Sequence, residues 1–370
     1  MLVAAVLGPE EREDRELEAV RVASEQVSDA VELPVGQPQR TVKRRFRRDL
    51  RQGPECSGEG RRAPSAFGEG LSRRHSLMLL ALAAFWGSSF MFIKVGVREL
   101  EPTTLICARL AIGALALLPV ALLRLGARTL LLESRRAWRP LVLIGLVNSA
   151  IPITSIAWAE TRIDSGLTAV IQAAAPLFTA LLALRFARHD RVGGARLLGL
   201  LVGFGGIALL VGVQPSGNIV AALAVTFSAL CYAVAAIYSA RALVTVQPLV
   251  SAVGALAAAA ISLLPFALVQ LPSRFPSWEV TGAVLALGIG GTSAGYVLYY
   301  ALLAGAGASR SILITYLVPA LALVYGAVFL GEPVHTVAVV GLLLVLGGVA
   351  PGTGVVGLAR RRVQATDVGG

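Results

Sequence analysis

Beyond residue 75 this chain is poor in charge, and above all in acid. Residues 1–75 hold 14 of the 33 Lys and Arg and 13 of the 22 Asp and Glu, which leaves 19 basic and 9 acidic groups for all the rest. Over the whole chain 56% of residues are hydrophobic and 15% charged, where soluble domains carry about 25% charged residues. That balance excludes a soluble globular body. Histidine is limited to His75, His189 and His335, and cysteine to Cys56, Cys107 and Cys231. No CxxC or His spacing joins them, so neither a metal site nor a disulfide framework is specified. No cofactor is expected. The net charge of +11 raises nucleic acid as a partner, but the basic residues fall where apolar runs end, not on a soluble face interleaved with aromatics, so that partner is set aside.

A cleaved leader is not expected either. "MLVAAVL" is too short for a signal core and runs into "GPEEREDRELE", an acidic stretch that also argues against a transit peptide. Residues 1–75 read as a disordered charged tail, and 358–370 as a short basic tail.

What is present in quantity is apolar sequence. A bilayer core of about 30 Å needs about 20 apolar residues per helix, and ten such runs follow: 76–96, 102–123, 139–159, 165–187, 193–213, 218–240, 248–271, 278–304, 309–330 and 333–354. Pro102, Pro248 and Pro333 stand at first-turn positions, where the missing N–H is no loss. With both termini cytoplasmic, the inner loops collect nearly all the arginines and the outer loops only Arg98, Arg162 and Arg274. This positive-inside bias predicts a multi-pass inner-membrane protein.

The chain also resembles itself. "IQAAAPLFTALLALRF" lies over "ITYLVPALALVYGAVF" at an offset of 143, which sets Gln172 on Thr315, Pro176 on Pro319, Phe186 on Phe329 and, upstream, Gly145 on Gly288. Five spans per half is an odd number, so the second half enters the membrane upside down. The predicted fold is an all-α integral membrane protein whose ten transmembrane helices form two inverted five-helix repeats, 76–213 and 217–357. Secondary transporters use this plan, with substrate near the midplane between the halves. A structural membrane protein born of a duplication is the competing reading.

Two stretches carry a family resemblance. "ALAAFWGSSFMFIKVGVRELEPTTLICARLAIGALALLP" resembles the opening of an EamA domain of the drug/metabolite transporter superfamily, and "LGEPVHTVAVVGLLLVLGGV" resembles the end of a second one. The likeness spans about 76–357. It implies a cavity lined by both halves, alternating access and a small metabolite, such as an amino acid, as the substrate of an exporter. Where such domains often read Gly-Glu after the fourth helix, the first repeat reads "RHDR", so a role for Glu332 does not carry over to its counterpart.

Polar side chains inside apolar spans are the site candidates, because a buried amide or hydroxyl must find a partner. On the third span Asn148 and Ser155 share a face, with Trp158 close by. The fourth offers Gln172, in step with Thr168, Pro176 and Thr179, and the ninth offers Thr315, Tyr316 and Pro319. Pro176 and Pro319 are candidate hinges. Trp86 and Ser89 on the first span, Tyr232 on the sixth, and Tyr296 and Tyr299 on the eighth complete a candidate substrate lining, with interhelical hydrogen bonding or packing as the plainer alternative. Arg109 is an intramembrane charge and therefore a functional candidate; snorkelling or structural pairing competes, and Lys94, nearer the outer surface, leans toward snorkelling. Glu160, Asp164, Glu279 and Glu332 all fall near outer helix ends, which leaves no acid at mid-membrane.

"GTSAG" at 291–295 matches the G-x-S-x-G of serine hydrolases, but that mechanism needs a strand-to-helix turn and a histidine in reach. Inside an apolar helix the plainer use of Gly291 and Gly295, as of Gly199 and Gly203, is close helix approach. No catalytic residue is expected. The partners expected are a small-molecule substrate and the lipid bilayer, with a homodimer left open.

Overall fold

The computed structural model describes residues 72–186, 194–213, 218–306, 311 and 313–352; of the tail read at 1–75, residues 1–71 lie outside these, as does 358–370, while Arg73–His75 belong to the first helix. Every regular element among the described residues is helical. α1 is Arg73–Gly96, α2 Pro102–Arg136, α3 Trp138–Glu160, α4 Ser165–Gln172, α5 Ala175–Phe186, α6 Gly194–Gly212, α7 Ile219–Ala242, α8 Pro248–Val269, α9 Trp278–Ala306, α10 Ile314–Leu330 and α11 Thr336–Gly352. Among the described residues seven helical runs, with α4 and α5 counted as one, are long and apolar enough to cross a membrane, and three shorter apolar helices accompany them. They are apolar all round, the pattern of helices with lipid or protein on every side. Large side chains such as Phe266, Leu123 and Val328 accordingly stand on the outside.

Pro102 and Pro248 open their helices as expected. Pro333 does not: α11 begins at Thr336, with Ala338 and Val339 donating to the His335 carbonyl. The span expected at 333–354 is therefore shorter. α2, by contrast, runs well past the expected 123. At Gly126 the backbone leaves helical geometry (φ 77°, ψ 156°), a conformation open to glycine for want of a Cβ, and the chain beyond it to Arg136 forms a separate helical stretch of about three turns. Arg139 lies over the exposed Trp138 ring there, 5.3 Å from its centroid.

The "IQAAAPLF" irregularity resolves into a break. Pro176 lacks the N–H that would bond the carbonyl of residue 172, and its ring crowds that carbonyl. α4 accordingly ends at Gln172, and Pro176 sits in the first turn of α5. The single span with a mid-helix proline expected at 165–187 is thus two helices. Pro319, its repeat partner, remains inside α10. On this run Thr168 donates to Asp164 O at 3.0 Å and Thr179 to Ala175 O at 2.9 Å.

Packing between the halves is reciprocal. The most extensive pairs are α6 with α11 and α2 with α8; α1 packs on α10 and α9, and α7 on α4, α5 and α3. α2 also packs on the middle of α9, and α8 on the middle of α3. Those two middles are both π-helical, Gly145–Ala150 in α3 and Ala286–Ala294 in α9, and they contain the Gly145 and Gly288 that the repeat superposes. In α3, Pro152 removes a donor and the wider turn lets Ile151 N reach Leu146 O. In α9 the Thr292 hydroxyl donates to Leu287 O, five residues back, at 2.9 Å. A Cβ on Gly145 would lie 2.5 Å from Ala255 O of α8, and one on Gly288 2.5 Å from Ile112 Cγ2 of α2. The glycine contact expected at Gly199 and Gly203 is present too. A Cβ on Gly348 of α11 would sit 2.5 Å from Gly199 O and 2.6 Å from Gly203 Cα.

Polar contacts gather at the helix ends. Glu332, just beyond the left-handed Gly331 (φ 67°) that terminates α10, caps α4 across the halves. Its Oε1 accepts from Ser165 N at 2.9 Å, and its Oε2 from Ser165 Oγ at 2.8 Å and Gly166 N at 3.2 Å. A carboxylate on unpaired helical N–H groups is favoured by both hydrogen bonding and the helix dipole. Asp164, the residue in the N-cap position, makes no side-chain cap and instead faces His335 at 3.7 Å. Glu332→Ala strands the α4 donors and is expected to cost about 1–2 kcal/mol, the scale of a lost N-cap; thermal denaturation in detergent measures it. At the same end Ser277 N donates to Glu99 at 2.7 Å and Arg98 pairs with Glu279 at 3.0 Å. The two Ser277 hydrogen bonds hold the Glu99 carboxyl below its ordinary range.

Candidate functional site

The π-helical middles of α3 and α9, with α1, α2 and α7 beside them, bring a polar and aromatic group together well inside the bundle. Trp86 of α1 lies 5.6 Å from the Tyr299 ring, Tyr299 lies 5.8 Å from Tyr300, and Tyr300 stacks with Tyr296 at 6.0 Å. Asn148, carried by the π segment of α3, lies beside Tyr296. The small residues of α9 allow this approach. A Cβ on Gly295 would lie 2.6 Å from Trp86 Nε1, and one on Gly291 2.6 Å from Ser89 Oγ. That is the plainer use expected of the "GTSAG" glycines. Ser293 is buried at the centre of the helix, while His75 lies against Gly305 and His335 against Asp164 at opposite ends; His189 lies outside the described residues.

Arg109 stands in this group. It is 9% exposed, its Nε donates to Thr292 Oγ1 at 3.2 Å, and the ionisable groups acting on it are Tyr232, Tyr296 and Glu160. The terminal nitrogens make no hydrogen bond among the described residues. A snorkelling arginine would reach for the surface, so that alternative is corrected. A paired arginine would meet a carboxylate, and Arg109 meets hydroxyls instead. Its two free N–H pairs form a fork suited to a carboxylate or phosphate.

Trp86, Ser89, Asn148, Tyr232, Tyr296, Tyr299 and Arg109 are therefore near neighbours, joined by Thr292 and Tyr300. The sequence reading passed over Thr292, although its place beside a glycine pair on a polar stretch of α9 was a usable signal. Other candidates lie elsewhere. Trp158 and Tyr316 pack on the separate apolar cluster around α4, α5, α6 and α11, and Arg162 covers the Trp158 ring 3.9 Å from its centroid. Ser155 donates back to Ile151 O at 2.9 Å. Thr315 is half-buried near the start of α10. Lys94 is engaged within the protein: its Nζ donates to Glu160 O at 2.6 Å and Ile163 O at 2.8 Å, which ties α1 to the turn between α3 and α4. Gln172 ends α4 with its Oε1 buried and without a partner among the described residues. Removing that unmatched oxygen relieves a desolvation cost, so Gln172→Ala is expected to leave thermal stability unchanged or slightly higher; a melting curve in detergent checks it.

Residues 74–212 and 219–350 each match the EamA-like transporter family. An uncharacterized transporter of Archaeoglobus fulgidus is 27% identical over 277 residues, covering 74% of this chain and 96% of its own length. The uncharacterized protein PA1977 of Pseudomonas aeruginosa is 30% identical over 285 residues, covering 74% and 92%. The uncharacterized inner membrane transporter YedA of Escherichia coli is 30% identical over 190 residues, half of this chain and 60% of its own. A crystal structure 21% identical in sequence matches at a TM-score of 0.54 over 78% of this chain and 98% of that one. That likeness shows a common fold.

Proposed function

Since this chain belongs to the EamA-like transporter family, being a multi-pass membrane transporter with the domain present twice, we propose that it is a secondary exporter of a small amphipathic metabolite of the amino-acid class. In this reading ten membrane-crossing segments form two inverted repeats, and alternating access acts on a site between them. Both termini face the cytoplasm, by the arginine bias of the loops. The reciprocal pairing of α1 with α10 and α7 with α4 and α5, together with the matched π segments, supports the inverted arrangement.

The observation that carries the substrate class is Arg109, buried among hydroxyls and aromatic rings with a free guanidinium fork. A substrate with one carboxylate and an apolar or aromatic body satisfies both parts of such a lining, since ligand sites combine apolar walls with a few placed polar groups. Counterflow in proteoliposomes tests this. Saturable exchange of a labelled amino acid, competed by other carboxylates and not by the matching amide, supports the reading. A broad metabolite panel without exchange favours a scaffold or sensor that keeps the fold.

A further inference from the structure

Glu160, the last residue of α3, is fully enclosed, and neither carboxyl oxygen has a hydrogen-bond partner among the described residues. None of the charged groups around it bonds its carboxyl. Lys94 of α1 directs its ammonium to the Glu160 and Ile163 carbonyls, Arg109 of α2 bonds Thr292, and Glu332 beyond α10 is held by Ser165 and Gly166. These three are the charged groups acting on the Glu160 side chain. Four residues on, Asp164 faces His335, and burial together with the Glu332 carboxylate pushes the Asp164 carboxyl up. Tyr232 stands on α7, which packs against this part of α3. An ionised carboxylate enclosed without a hydrogen bond is strongly disfavoured, whereas a neutral carboxyl tolerates the same place.

Several of the contacts at this end lie within six residues of Glu160: Lys94 to 160 and 163, His335 to Asp164, and Glu332 to 165 and 166. Opening the end separates α1 and Glu332 from the α3–α4 turn and admits water to the carboxyl. We propose that Glu160 is a proton-binding site: it holds a proton while this end is closed and releases it to water as hydronium when the end opens, which makes the carrier proton-coupled. The use of that proton rests on the transport reading, but the site itself can be tested without a substrate.

Amide hydrogen exchange of the full-length protein in lipid nanodiscs measures opening directly. The α4 N-terminal segment, 164–171, is followed in wild type and Glu160→Gln at matched pH from about pH 6 to about pH 9, a range that lies above the ordinary carboxylate values. Intrinsic exchange chemistry cancels between the two, and Asp164, Glu332 and His335 titrate in both. A closed state that holds one more proton than the open state loses ground as pH rises, by up to about tenfold per pH unit. Wild type is therefore expected to match Glu160→Gln at the acid end and to exchange progressively faster above it. A ratio that stays flat across the range overturns the proposal. Should Glu160→Gln fail to insert, the infrared C=O stretch of protonated carboxyls decides on wild type at neutral pH: a band lost in step with the rise in exchange supports the site, and no band overturns it. Counterflow that fails while the pH slope persists would refute transport and leave the proton site standing.

Discussion

With Arg109 replaced by methionine, counterflow is expected to fall by about a hundredfold while the melting temperature holds or rises. Two decades correspond to about 2.7 kcal/mol, within the range of charge-assisted hydrogen bonds from a buried fork to a substrate carboxylate. The opposite sign for stability follows from what Arg109 lacks. It has one neutral hydrogen-bond partner and no carboxylate within hydrogen-bond reach, so the resting protein bears the cost of a buried cation without a bonded counter-ion. Replacing buried charge by a hydrophobe of similar volume is often neutral or stabilising, by about 1–4 kcal/mol. Thr292 is not stranded, because its hydroxyl still reaches Leu287 O. Arg109→Lys keeps the charge but loses the fork and is expected to recover only a small part of the flux. A purely structural arginine predicts the reverse pattern, with stability and transport lost together.

The fold and the site were legible to different depths. The all-helical apolar body, the doubled domain and the glycine contacts follow from hydropathy and self-similarity, because a lipid environment leaves backbone groups no partners but their own helix. Pattern alone did not show how a proline is accommodated. Pro176 splits its span, Pro152 widens a turn into a π segment and Pro319 stays inside its helix. Each outcome depends on whether neighbours satisfy the freed carbonyl, which a one-dimensional reading does not contain.

Ionisable residues were the least legible. Lys94, Arg109 and Glu160 were judged by distance from a helix end, yet their states depend on what faces them across the bundle. Lys94 meets two carbonyls, Arg109 a threonine, and the Glu160 carboxyl no hydrogen-bond partner among the described residues. Conversely, the aromatic members of the site were legible because tyrosines at 296 and 299, one helical turn apart, share a face.

Gly145→Ala is expected to cost about 1–3 kcal/mol, the range of an overpacked core, and more than Gly288→Ala at the matching position. At Gly145 the added Cβ meets backbone, 2.5 Å from Ala255 O and 3.1 Å from Ala259 N, and helix α8 can relieve it only by moving as a body. At Gly288 the nearest atom is Cγ2 of Ile112 at 2.5 Å, with Arg109 O at 3.2 Å. A side chain gives way more readily than a backbone, so less stability is lost there. Transport should rank the other way for its size: the Gly288 change presses on the very residue that carries the guanidinium fork, whereas the Gly145 change displaces Asn148 one turn away. Denaturation and counterflow on the two single variants separate these effects. Equal costs at both positions would mean that the α3–α8 contact is looser than its geometry, and that the two π segments do not act as a matched pair.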